Sequence, residues 1–518
     1  MTSNQILLGA TEDGKQVFLN PGMANRHGLI AGATGTGKTV SLQILAEAFS
    51  AAGVPVFTAD VKGDLAGLSS AGALNNKIQD RIDYIKISDY SNKAVPTVFW
   101  DLYAEKGHPV RTTISEMGAP LLSRLLDLND TQDGVLHIAF KYADEESLLL
   151  LDLKDLQELL RYIGDNRKEI SQNYGNVHPS SLAAIQRDLL VLEEGGANQF
   201  FGEPAIDLKH FMQKDFSGQG VVSILDATKL LHDRRLYSTF LLWFLSELFE
   251  NLPEVGDQEL PKLVFFFDEA HLLFNDAPKA LVEKIETVVR LIRSKGVSIF
   301  FVTQNPADLP SDVLSQLGNR IQHALRAFTP KDQKAVKVAA NTFRPNEKFD
   351  TADVIMELNV GEALVSTLDD TGAPTPVERA LMCPPASRLG PITDDERKSV
   401  IGRSPLNGIY EEAVDRESAY EILKKRMEEA PKEKKGGKKK DGMVFSFLKS
   451  FFRSFGSAIG RVVFGTIVGF LVGKKSSSKS KSGMSGKVIK SVDSSMKRSV
   501  SRKIGNKIAR GVLGSIMK

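Results

Sequence analysis

Cysteine is nearly missing from the 518 residues: Cys383 stands alone. No internal disulfide can form, and the usage fits a reducing compartment. Histidine is sparse as well, and His137 and His178 lack partners at the spacing a metal site needs. The first residues, Met-Thr-Ser-Asn-Gln, do not have the basic-then-apolar layout of a secretory signal, so export is not expected. No uninterrupted apolar run is long enough to span a bilayer. A secreted disulfide scaffold, a zinc module and a polytopic membrane protein are therefore excluded. Net charge is also close to absent, at +2, but that balance hides a division. From Pro431 onward roughly 22 Lys and Arg face about 3 acids, a tail near +19, which leaves the rest near −17. An acidic body with a strongly basic tail points to an anionic partner for the tail.

What is present begins at 29–41, LIAGATGTGKTVS. Gly32, Ala33, Thr34, Gly35, Thr36, Gly37, Lys38 and Thr39 fit G-x-x-x-x-G-K-[ST], the phosphate-cradling P-loop or Walker A motif. Glycines let backbone N–H groups turn onto phosphate oxygens without a Cβ in the way. Lys38 supplies a point charge there, and the Thr39 hydroxyl can ligate Mg²⁺. A helix must begin at this point so that its positive end faces the anion, and the apolar spacing from Val40 to Phe49 predicts one. ATP with Mg²⁺ is the expected ligand pair, with Val40 closing the cradle.

Residues 1–26 read as an N-terminal β-hairpin around Asp13-Gly14. Residues 27–108 form the first part of a nucleotide-binding core, in which the strand at 54–59 ends in Asp60-Val61-Lys62-Gly63-Asp64. Asp60 and Asp64 are open to two readings, a ligand crevice at a strand's C-terminal end or an ordinary polar loop. Residues 109–214 are patterned as helices, with leucine stripes and no catalytic constellation, and read as a helical insertion. The core resumes over 215–390. LVFFFDEAH (263–271) is an apolar run closed by two acids, the Walker B pattern. Asp268 is placed for the Mg²⁺ shell, and Glu269 can polarise the attacking water as a general base. DEAH also suggests a superfamily-two helicase, but the two Walker motifs lie too far apart and no second lobe follows. The next strand, 297–303, ends in Gln304, which is placed to sense the γ-phosphate. Arg320 and Arg326, beside a strand expected at 321–326 and near the sheet edge, are candidates for a finger reaching a neighbouring subunit's nucleotide. Residues 361–380 read as a terminal hairpin, and 391–430 as a charged helical segment.

The basic tail, 431–518, contains an apolar, glycine-interrupted helical pattern over 443–473, a Ser/Lys/Gly-rich linker and a short basic amphipathic helix near the end. An interfacial helix on an anionic membrane surface, a helix packed on a partner or another subunit, and a true membrane span are all open. Part of the tail is expected to be disordered.

Asn25-Arg26-His27, GATGTGKT, DVKGDL, FFFDEAH and VTQNPADLP occur in one order from 25 to about 326. In that order they resemble the HerA/FtsK superfamily of P-loop ATPases, most of all the bacterial HerA-like helicases with a basic tail. The resemblance implies an α/β, RecA-like core with a parallel-rich sheet, assembled as a ring, expected to be a hexamer. It also implies motor activity on double-stranded DNA, Gln304 as sensor, and Arg320 as the first choice for the trans arginine. HerA proper has an N-terminal β-barrel that docks a nuclease; 26 residues before the core make no barrel, so that nuclease partner is not expected. A membrane-surface ATPase acting on protein and an ATP-dependent scaffold are the alternatives. The expected location is the cytoplasm, with a peripheral seat at the inner membrane face left open by the tail.

Overall fold

Short apolar runs become strands buried on both faces, which is what a parallel sheet covered by helices requires. The computed structural model describes residues 5–230, 233–256, 258–274 and 279–429. It opens with the hairpin β1 (Ile6–Thr11) and β2 (Gln16–Leu19), turned at Gly14 with φ 80°. β3 (Gly28–Ala31) runs through the glycine-rich loop into α1 (Lys38–Ala51). β4 (Val56–Asp60), α2 (Asn76–Ile85), β5 (Thr97–Asp101) and the short β6 (His108–Pro109) follow.

The helical stretch consists of α3 (Ile114–Leu125), α4 (Asp130–Glu145), α5 (Leu153–Asp165), α6 (Arg167–Tyr174) and α7 (Pro179–Glu194). Capping boxes start three of these: Thr113 with Glu116, Asn129 with Gln132, Asp152 with Asp155. The chain then returns to the sheet with β7 (Val222–Asp226), α8 (Arg234–Asn251), β8 (Leu263–Phe267), α9 (Lys279–Ile292) and β9 (Val297–Thr303). A single helical turn, α10 (Ser311–Leu314), precedes β10 (Asn319–Gln322), and α11 (Pro330–Asn341) and α12 (Thr351–Glu357) come next. β11 (Glu362–Ser366) and β12 (Glu378–Met382) form the second hairpin, before α13 (Asp394–Arg403) and α14 (Ala419–Glu429).

Among the described residues the twelve strands make one sheet, ordered β2-β1-β12-β11-β10-β3-β9-β8-β4-β7-β5-β6. From β10 to β6 all neighbours are parallel, and from β10 back to β2 they are antiparallel. The N-terminal hairpin joins this sheet by pairing β1 with β12. Strand periodicity divides the core in two. Along β8, Val264 and Phe266 pack with Leu42, Leu45 and Phe49 of α1, while Phe265 and Phe267 face Phe244 of α8 and the helical stretch. The rings of Phe57 and Phe265 lie 4.4 Å apart across β4 and β8.

Two sequence expectations are corrected here. The strand expected at 321–326 is β10, Asn319–Gln322. It lies between β3 and β11, so Arg320 sits inside the sheet and not near its edge. Residues 1–428 form one compact unit and 429–518 a second; the helices expected in the tail fall outside the described residues. No helix among the described residues is long and apolar enough to cross a membrane.

Candidate functional site

The tips of β3, β9, β8 and β4, adjacent in the sheet, bring together the glycine-rich loop, Gln304, Asp268-Glu269 and the loop after Asp60. Gly32 has φ 151° and lies against His323, where an added Cβ would come within 2.6 Å of the His323 Cβ. Only glycine fits that backbone and that contact. The loop is held by Ala33 N–H donating to Ala324 O (2.8 Å), the Thr36 hydroxyl donating to Ala33 O (2.7 Å), and Gly361 N–H donating to Thr36 O (3.1 Å). His323 buttresses it from beneath. Its Nδ1 hydrogen-bonds Glu362 O at 2.9 Å, so Nε2 accepts from the Ser41 hydroxyl at 2.9 Å. Burial, with Lys38 nearby, holds this imidazole down to about 4, so it stays neutral.

Gly37 caps α1 with no side-chain acceptor for the first-turn N–H groups. Uncapped donors at a helix start are what an anion takes up. Lys38 is buried and donates to Gly32 O (2.7 Å) and Ala33 O (3.1 Å). Burial first, then the charge of Lys62, lowers its pKa. A phosphate would supply the counter-charge that those carbonyls do not. Thr39 and Val40, at the head of the helix, are half-buried.

Asp268 is buried, and its Oδ2 has no hydrogen-bond partner. Burial and then the adjacent Glu269 raise it to about 7. An unpartnered carboxylate oxygen kept neutral by its surroundings fits a divalent cation, which would replace the proton. Among the described residues no cluster of three or more acidic, histidine or cysteine side chains makes a metal cage. Mg²⁺ needs no such cage, being held by one or two protein oxygens together with substrate phosphates; Asp268 and the Thr39 hydroxyl are the side chains that could hold it.

Glu269 carries φ 48° and ψ 49°, a left-handed conformation costly for a non-glycine residue. Its Oε1 lies 2.5 Å from Lys62 Nζ, its Oε2 3.2 Å from His271 Nδ1, and Gln304 Nε2 donates to Oε2 at 3.4 Å. Burial would raise this carboxyl, but His271 and Lys62 outweigh it and hold Glu269 down at about 2. Two carboxylates side by side are thus driven apart, one toward the neutral form and one firmly ionised.

Asp60 resolves toward the polar-loop reading. Its carboxylate accepts from the N–H groups of Gly63 (2.7 Å), Asp64 (3.2 Å) and Leu65 (3.0 Å). Asp64, beside it, keeps a buried Oδ1 without a hydrogen-bond partner. Arg320 donates to Leu317 O and Leu314 O, both at 3.0 Å, in its own chain; the structure does not bring it to the glycine-rich loop. Arg326 donates to Met356 O (2.6 Å) and Leu358 O (3.3 Å).

Three contributors do not stand out in the sequence. Lys62 lies within DVKGDL, but its partner is set only by folding. His323 follows β10 with no motif around it. Tyr237 of α8 is fully buried, its hydroxyl has no hydrogen-bond partner, and burial followed by Asp268 and Glu269 pushes its pKa up. A tyrosine in an otherwise apolar helix face was the available signal.

A family model described as helicase HerA-like C-terminal matches residues 5–518. The chain is 32% identical over 99 residues, 19% of each chain, to the DNA double-strand break repair helicase HerA of Sulfolobus acidocaldarius. It is 32% identical over 110 residues to the probable helicase MJ1565 of Methanocaldococcus jannaschii, covering 21% of this chain and 20% of that one. The chain therefore matches about a fifth of the length of these relatives. Among solved structures it is similar to VirB4 of Thermoanaerobacter pseudethanolicus, with 17% identity, 74% of this chain and 97% of that chain covered, and a TM-score of 0.49. It is likewise similar to the bacterial conjugative coupling protein TrwB, at 14% identity over 75% of this chain and 92% of that chain, TM-score 0.49.

Proposed function

The chain belongs to the helicase HerA-like C-terminal family, and from that premise we propose that it is an ATP-hydrolysing motor that works on double-stranded DNA. The observation that carries the reading is the pair at the tip of β8. Asp268 has a free oxygen for a cation, and next to it Glu269 is ionised, buried and fixed by its backbone. Nucleotide storage has no use for that second, positioned acid.

In this reading the N–H groups of the 32–39 loop and of the start of α1 cradle the β- and γ-phosphates. Lys38 exchanges Gly32 O and Ala33 O for phosphate oxygens. Thr39 and Asp268 would hold Mg²⁺, which would supply charge neutralisation at the phosphates when bound. Glu269 orients water and takes its proton, while Gln304, already on Oε2, links the acid to the end of β9. Assembly into a ring, with a hexamer as the expected number, would bring a neighbour's arginine to each site. Arg320 can serve there only by leaving its two carbonyl partners.

The name of one curated relative, a DNA double-strand break repair helicase, favours DNA as the polymer. The near +19 tail offers a sequence-independent grip on phosphates. The apolar and basic pattern at 443–473 supports a second reading, a membrane-surface ATPase acting on protein.

The test is ATPase rate for wild type and Glu269→Gln, alone, with linear duplex DNA, and with anionic liposomes. Duplex-specific stimulation that is lost in the variant supports the DNA motor. Stimulation by liposomes alone moves the function to the membrane surface. Glu269→Gln is expected to bind ATP and to lower turnover by about 10²- to 10⁴-fold.

A further inference from the structure

Lys62 is outside the phosphate-loop motif, yet the fold delivers its ammonium to the acid at the end of β8. The delivering loop is rigid. Asp60 ties down the N–H groups of Gly63, Asp64 and Leu65, and Gly63 turns the chain at φ 78°. From that platform Lys62 Nζ reaches to 2.5 Å from Glu269 Oε1. The lysine side chain is 38% exposed and the carboxylate 5%, so the ammonium covers the acid from the solvent side. Its charge also acts on Lys38, and it is itself acted on by Asp268 and Asp64. Two lysines, one at the start of α1 and one in the loop after β4, therefore share the field of the two Walker acids.

The two ends of this ion pair differ in freedom. Glu269 is fixed by a left-handed backbone, and its Oε2 keeps Gln304 and His271 whatever Lys62 does. Lys62 is a point charge on a flexible four-carbon stem, already partly in water. A γ-phosphate entering beside Lys38 carries more negative charge than one carboxylate and offers several acceptor oxygens. The mobile cation should follow the larger charge. A diphosphate ends before that position and leaves the ion pair intact.

Resting on the ATPase reading above, we propose that Lys62 is a γ-phosphate-sensing residue: it neutralises Glu269 in the empty and diphosphate-bound site and moves to the γ-phosphate of a bound triphosphate. Glu269 is thereby released as a base only when there is a bond to hydrolyse. The exchange moves one ammonium between two anions, with no covalent change.

The experiment is equilibrium binding of ADP and of the β,γ-imido analogue of ATP, each with Mg²⁺, to the full chain and to Lys62→Met, Lys62→Arg and Lys62→Met/Glu269→Gln. Lys62→Met should weaken the triphosphate analogue by about 10- to 100-fold, the worth of a charge-assisted contact. ADP affinity should change less than about twofold, which also reports that the variant is folded. Lys62→Arg should keep the triphosphate preference. Adding Glu269→Gln to Lys62→Met should recover part of the loss, because the uncovered carboxylate then no longer repels the phosphate. Equal weakening of both ligands would make Lys62 a structural ion pair and overturn the proposal, as would an unchanged preference. Wild type binding neither nucleotide would overturn the ATPase reading and this proposal with it. Wild type binding both, with no selective loss in Lys62→Met, would overturn this proposal alone.

Discussion

Two buried histidines make the acid response of this fold calculable. His27 Nδ1 accepts from Ile299 N–H at 3.0 Å, so its Nε2–H donates to Val289 O at 2.9 Å. A proton on Nδ1 would break the first bond. Burial holds His27 and His323 each at about 4, against 6.5 when unfolded. A depressed pKa contributes stability that is complete above pH 6.5 and is lost as pH falls toward 4. Between pH 7 and pH 5 each histidine therefore removes about 2 kcal/mol. Two carboxyls act in the opposite sense over the same window. Asp60 is raised to about 6 by burial and then Asp64, and Asp268 to about 7 by burial and then Glu269. A raised pKa contributes stability at low pH that is lost as pH rises through it, so acidification restores about 1 and about 2 kcal/mol. Glu269, near 2, titrates below the window. His27→Gln removes one destabilising contribution. Its urea-unfolding profile should tilt by about 2 kcal/mol relative to wild type, toward greater stability at pH 5. Parallel profiles for the two proteins would refute the reasoning, because the histidine would then not be paired as described.

Other consequences can be measured at the site itself. Because Asp268 must lose its proton to meet a cation, affinity for the Mg²⁺ complex of the imido analogue should rise about tenfold from pH 6 to pH 8, and this dependence should vanish in Asp268→Asn. In Gly32→Ala the new Cβ would press on His323 in a backbone region that alanine avoids. Nucleotide affinity in titrations should fall at least about tenfold, with about 1–3 kcal/mol of stability lost to strain. Gln304→Ala should leave ADP binding intact and cut turnover by about tenfold or more in a steady-state assay, since it removes a polar anchor from Glu269.

How much was legible depends on whether a residue acts with its neighbours in sequence or with distant ones. The loop at 32–39, the apolar strand before Asp268 and the hairpin at Asp13-Gly14 are local patterns, and the structure has each in place. The family resemblance carried by the ordered motifs is borne out by the match over 5–518. α11 was not foreseen, although the structure starts it with a capping box of Thr329 and Asp332 and with Pro330 in the first turn. The start of β10 was not legible, because Asn319 and Arg320 are polar. Their place in the sheet comes from pairing with Gly28 and Leu29, and Asn319 is buried by hydrogen bonds to Met23 O and His27 O. Nor could the contact between Lys62 and Glu269 be read, since nothing local to DVKGDL says which strand tip will stand beside it.

The acids at the strand tips show where sequence chemistry stops and geometry takes over. β4, β5 and β7 end in Asp60, Asp101 and Asp226, and Asp268 directly follows β8; the four strands are neighbours in the sheet. By residue type and position all four are equal candidates for a cation. Asp60 is engaged by three backbone N–H groups of its own loop, and Asp101 by those of Tyr103, Glu105 and Lys106. Asp226 accepts from Thr228 and faces Lys106 and Arg397, each at 3.7 Å. These three carboxylates shape turns, which is how a parallel sheet terminates short strands with satisfied backbone donors. Asp268 alone of the four keeps a buried oxygen without a hydrogen-bond partner. A buried oxygen left so is costly unless something binds it. The same strand-end chemistry therefore yields three loop clamps and one carboxylate with an oxygen left unengaged, and the difference lies in which loop fails to close over its aspartate.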